Sequence, residues 1–172
     1  VMAQSTYSWN ASDWAADSGY SISQDAENNT FTTTGYNWGC CSLTGTLNFK
    51  LPKRQTYLVI KGTNIYGGTS NPCLNNVNGT NIDAKPKLAV NDNGTLAYID
   101  ITPYLNGAVD FFGNTAVSRI GLYLQEPTKS NGTDHDTGTT VTSIDFVAAD
   151  WIDLSASTSN VLVEQGGSAL TT

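Results

Sequence analysis

Residues 41–51 read CSLTGTLNFKL. The odd positions Cys41, Leu43, Leu47, Phe49 and Leu51 are apolar, with Gly45 among them, while Ser42, Thr44, Thr46, Asn48 and Lys50 are polar. Side chains alternate across a strand, so this pattern sends one row to a core and the other to water. Outward from it the same grammar recurs. Residues 57–61 (YLVIK) are apolar on both faces and read as a central strand. Residues 87–91 and 95–101 flank Asn93-Gly94, a pair suited to the positive φ angles of a type I′ turn, and read as a hairpin. Residues 119–125 send Ile120, Leu122 and Leu124 one way and Arg119, Tyr123 and Gln125 the other. Residues 139–148 give a further strand with Ile144 and Phe146 on one face. Short strands between turn clusters predict an all-β fold, a β-sandwich or a barrel.

The 172 residues suffice for one domain, and no repeat or linker divides them, so a single sandwich is expected over 1–172. Residues 155–172 read as a frayed tail that offers an edge strand at 161–163. One short helix is expected within 102–113, with Thr102 as N-cap, Pro103 in its first turn and Gly113 as terminator; Gly107 limits it to a turn or two. Long loops are expected at 62–86 and 127–138, and loops of that length often carry function. Fifteen acidic against eight basic residues give a net charge of −7, which repels phosphate backbones and anionic lipid. No nucleic-acid partner is expected. No apolar run reaches the roughly 18 residues that cross a bilayer, so no membrane insertion is expected either. The opening VMAQ suits a chain whose leader has been removed.

TLAYIDITPYLNG (95–107), SRIGLYLQEP (118–127) and VTSIDFVAADW (141–151) together resemble the galactose-binding-like jelly-roll superfamily, which includes many carbohydrate-binding modules of secreted bacterial systems. They look like that family's strand, short helical crossover and final pair of core strands. The resemblance implies an all-β, antiparallel jelly-roll β-sandwich, a carbohydrate partner, export to the periplasm, the medium or the cell surface, and membership of a larger secreted polypeptide or complex. It also implies a structural calcium near the chain ends, for which Asp25, Asp145 and Asp150 are candidates without a motif to fix them.

Three cysteines are present. Adjacent Cα atoms lie about 3.8 Å apart across a trans peptide, whereas disulfides want roughly 4.4–6.8 Å, which disfavours a Cys40–Cys41 ring. The alternation makes Cys41 a buried thiol. In an exported protein Cys73 then most naturally bridges Cys40, tying the 62–86 loop to the strand. Zinc and thiol catalysis are disfavoured by the lack of C-x-x-C spacing and by a single histidine, His135.

A sugar site pairs an aromatic platform with convergent amides and carboxylates. Tyr36, Asn37 and Trp38 have that composition, as do Asn64 and Tyr66; Tyr123 and Gln125 are placed to line a concave sheet face. Trp9, Trp14 and Trp151 read as core or end plugs. Asp134 and Asp136 form a D-x-D in a Gly/Asn/Thr loop, a weak calcium candidate. No catalytic residue is nominated: Glu27, Glu126 and Glu164 form no evident pair, and glycoside hydrolysis needs two facing carboxylates. The expected function is non-catalytic carbohydrate binding. The alternatives are a glycan-active hydrolase on the same scaffold and a structural or adhesive surface domain.

Overall fold

The computed structural model describes residues 7–54, 56–67, 72–126 and 138–148. Eleven strands lie among them: β1 (Trp14–Ala16), β2 (Ser21–Asp25), β3 (Thr30–Gly35), β4 (Cys40–Pro52), β5 (Thr56–Thr63), β6 (Cys73–Val77), β7 (Thr80–Asn81), β8 (Ala89–Val90), β9 (Leu96–Asp100), β10 (Asn114–Gln125) and β11 (Thr140–Ala148). They form two antiparallel sheets, one of five strands in the order β1-β4-β10-β6-β7 and one of six in the order β2-β3-β11-β5-β9-β8. The chain crosses repeatedly between the sheets, staying within one at β2–β3, β6–β7 and β8–β9, and the fold is the β-sandwich that the alternation implies.

Strand β4 follows its pattern closely. Cys41, Leu43, Gly45, Leu47, Phe49 and Leu51 are buried, and Thr46, Asn48 and Lys50 are exposed. Ser42 is the exception, buried on the outer face because its hydroxyl donates to Asp17 at 2.6 Å. Strand β5 is central as expected, with β11 on one side and β9 on the other. Trp14 is 1% exposed and lies opposite Gly45, where its ring occupies the space a side chain would need. Trp9 is half-buried and donates its indole N–H to the Asn29 carbonyl at 2.8 Å.

Four expectations are corrected. Residues 102–113 hold only a 3-10 turn, Thr102–Tyr104, capped at Ile101 without a side-chain bond. Thr102 is no N-cap: its hydroxyl accepts from the Thr56 N–H at 2.8 Å and donates to the Arg54 carbonyl at 3.2 Å. The segment after it is held instead by Asp110, whose carboxylate accepts from the N–H groups of Phe112 and Asn114 and pairs with Lys50 at 2.8 Å. The Asn-Gly pair that does form a type I′ turn is Asn78-Gly79, both at positive φ, joining β6 to β7. At Asn93-Gly94 only Gly94 has positive φ, and Asn91 closes a wider turn through its own side chain, bonded to Thr95 and Leu96. The 62–86 segment is no open loop, since β6 and β7 lie inside it with Cys73, Leu74 and Val77 buried.

The fourth correction concerns the disulfide. Cys40, Cys41 and Cys73 are all free thiols. Strand β10 runs between β4 and β6: Tyr123 pairs with Ser42 on one side and with Cys73 on the other. Two strand spacings put the backbones at Cys40 and Cys73 roughly 9–10 Å apart or more, beyond the ~6.8 Å that a bridge tolerates.

The registers also sort the connections by end. Gly35–Cys40, Asn64–Gly67, Asn91–Gly94 and Glu126 share one end of the sandwich. The 101–113 segment and Ala148 lie at the other, where Ala148 pairs with Thr56. Tyr7, the first described residue, packs on Phe49 and Phe146 and bonds Asp13 and Trp14, away from the Cys40 end.

Candidate functional site

At the Cys40 end the chain passes between sheets through a tight hairpin. The Asn37 N–H donates to the Cys40 carbonyl at 2.9 Å and the Cys40 N–H returns the bond at 3.2 Å. The two central residues, Trp38 and Gly39, have φ of 57° and 78°, the type I′ signature. Gly39 sits there without strain; a tryptophan does not. Trp38 is nevertheless 92% exposed, a large aromatic with almost no packing partner. Asn37 is exposed beside it. Tyr36 is half-buried, and its hydroxyl lies 2.5 Å from that of Thr33. Burial pushes its phenol up from the ordinary value. Tyr36 therefore serves as a post under the hairpin.

Asn64 and Tyr66 meet the Asn91–Gly94 turn in a groove of about 570 Å³ at the same end. The two loops are tied together. The Ile65 N–H donates to the Gly94 carbonyl at 2.9 Å, the Gly62 N–H to the Thr95 carbonyl at 3.1 Å, and the Thr139 hydroxyl to the Asn64 carbonyl at 2.7 Å. Ile65 is buried and anchors its loop. Gly94, at φ 65°, lets the turn approach that closely, because a Cβ there would lie 2.9 Å from the Ile65 oxygen. Asn91 is consumed by its own turn, which leaves Asn64, Tyr66, Asp92 and Asn93 as the polar and aromatic lining.

Tyr123 lies elsewhere, on the outer face of the five-stranded sheet, in a groove of about 240 Å³ with Asp17, Asn76, Asn81, Lys85 and Arg119. Gln125 is one outward position further along β10, opposite Cys40. The seven expected ligand residues thus fall into two places, five at the Cys40 end and two on the sheet face. Asp92, Asn93, Lys85 and Asp17 escape a reading by strand alternation because they sit in turns. The signal for the face groove was present in Arg119, which shares the outward row of Tyr123.

Asp134, Asp136 and Asp150 lie outside the described residues. Among the described residues no three His, Cys, Asp or Glu side chains cluster as metal ligands. The Asp25 carboxylate is occupied by the Asn28 N–H at 3.1 Å and its side-chain amide at 2.8 Å. Asp145 is half-buried, and burial raises its carboxyl above the usual range.

Burial pushes the Cys41 thiol up to about 11. At pH 7.5 roughly one molecule in 3000 would then carry that thiolate, the nucleophilic form. Iodoacetamide on the folded protein is expected to spare Cys41, to modify all three cysteines after unfolding, and to leave no disulfide-linked peptide in a non-reducing digest. Alkylation of Cys41 in the folded state at the rate of Cys40 would contradict its burial.

No helix among the described residues is long and apolar enough to cross a membrane. The chain matches no family model, no curated protein and no solved structure.

Proposed function

We propose that this protein is a non-catalytic carbohydrate-binding β-sandwich whose main site is the Cys40 end. The observation that carries the reading is Trp38, bare and held in a costly backbone conformation at the tip of a two-residue turn. An aromatic face of that kind covers the C–H side of a sugar ring, and the groove at the same end of the sandwich is lined by Tyr66, Asn64, Asn93 and Asp92, a set suited to sugar hydroxyls. Hydrolysis is less well supported. Each groove has one carboxylate in its described lining, Asp92 or Asp17, where a glycosidase needs two. Export belongs to the same proposal and rests on composition and resemblance, since the unpaired thiols lend it nothing.

A glycan array is expected to show binding to neutral oligosaccharides, with Tyr66→Ala weakening it by about tenfold or more. A blank array would sink the proposal. A second reading, a protein contact, draws on Val109, Phe111 and Phe112 at the opposite end, of which Phe111 is 94% exposed and stacked edge-on with Phe112. Were the array blank and Phe111→Ser to abolish self-association in sedimentation, that reading would replace the first.

A further inference from the structure

We infer that the groove on the outer face of the five-stranded sheet is a second site, separate from the Cys40 end, that takes an acidic sugar unit: a hydroxyl-bearing ring carrying a carboxylate or sulfate. Its floor is β10. Gly121 lets the Asn75 and Asn76 side chains lie close over β10 and form part of the lining, because a Cβ there would fall 2.5 Å from the Asn75 side-chain oxygen and 2.9 Å from the Asn76 Cβ. Tyr123 stands two residues along on the same face, half-buried, and presents a ring as one wall.

The charge of the groove sets it apart. The protein carries −7 overall, yet Lys85 and Arg119 both line this depression. Neither is held in an ion pair with a described residue. Lys85 sits at φ 45°, a left-handed value unusual for a lysine, and its ammonium lies 5.5 Å from the Tyr123 ring centre. The groove thus has a cation over its aromatic wall, while Arg119 offers a planar fork suited to a carboxylate or sulfate. Asp17 is the one acidic group of the described lining. Both its oxygens are turned to β4, accepting from Ser42 at 2.6 Å and Thr44 at 2.7 Å.

The remaining lining suits hydroxyls. Asn76 donates to the Asn81 oxygen at 2.8 Å and accepts the Gly79 N–H at 2.9 Å, which leaves the Asn81 amide N–H groups to face a ligand. The depression is less than half the volume of the Cys40-end groove, about 240 against 570 Å³, and fits one ring where the other fits several. Among its described residues the Cys40-end groove is lined by a carboxylate and no cation, so the two sites would select ligands of opposite charge character.

The test is chemical-shift mapping and calorimetry on the intact chain with galacturonate, galactose 6-sulfate, galactose and inorganic sulfate. Galacturonate or galactose 6-sulfate is expected to shift the amides of Gly121, Tyr123 and Lys85, with galactose at least about tenfold weaker there. Which of the two acidic sugars binds more tightly tells carboxylate from sulfate. Lys85→Ala and Arg119→Ala are each expected to cost about five- to twentyfold, Arg119→Glu to abolish binding, and salt at about 0.5 M to weaken it. Both positions are solvent-accessible, and unchanged thermal melts would show that the variants fold. The inference is overturned if either alanine variant stays within about twofold of wild type, if galactose binds the groove equally, or if inorganic sulfate alone matches the acidic sugars. Loss of acidic-sugar binding on Trp38→Ala with Arg119→Ala silent would also overturn it, while leaving carbohydrate binding at the Cys40 end intact.

Discussion

Gly45→Ala is expected to destabilise the protein by about 2–4 kcal/mol, the range of a badly overpacked core position. A Cβ at residue 45 would lie 2.8 Å from three carbons of the Trp14 ring. The ring is rigid and 1% exposed, so no flexible end can swing aside. Either β1 lifts from β4, breaking the Trp14↔Gly45 and Ala15↔Thr44 pairs, or the indole leaves its place against Trp9. For a chain of this size the midpoint of thermal unfolding should fall by about 5–12 °C. Contact between the two residues predicts coupling: in a Trp14→Leu background, itself less stable, the same alanine should cost much less. Equal penalties in both backgrounds would show that the ring does not rest on Gly45.

The second large effect separates stability from binding. Trp38→Gly is expected to leave the fold as stable as wild type or to raise its stability by about 1 kcal/mol, because glycine adopts φ 57° without strain. No packing is lost with a side chain that is 92% exposed. Glycan affinity should nevertheless fall by about thirtyfold or more, the cost of removing a central aromatic anchor. Paired thermal melts and array titrations decide it. If affinity holds, Trp38 is not the platform; if stability collapses, the residue has a packing role that its exposure conceals.

The sheets were readable because alternation is a local signal. Residues 41–51 disclose a face without knowledge of any neighbour, and β4, β5, β10 and β11 follow the expected strands. What failed depended on pairing. Only the order of strands reveals that β10 separates Cys40 from Cys73. Asn93-Gly94 and Asn78-Gly79 are the same dipeptide, yet only the second has two strands closing directly on it. At 102–113 the helical cues of Thr102 and Pro103 lost to tertiary bonds from Thr56 and to the local turn around Asp110. The candidate site was half legible for the same reason. Aromatic and amide side chains drew attention to Trp38, Tyr66 and Tyr123, but their division between an end and a face depends on which strands are neighbours.

Tyr7 and Ala148 both lie away from the Cys40 end, with Ala148 paired to Thr56 at the opposite extremity. A tether attached through either would hold the sandwich like a brush by its handle, with the Trp38 hairpin and its groove pointing outward. A fluorophore, bead or fusion partner joined at those points should therefore leave the proposed binding end unshadowed. Many copies fixed to one surface would present their tryptophan tips in a common direction, and weak single contacts could then add into a strong collective grip.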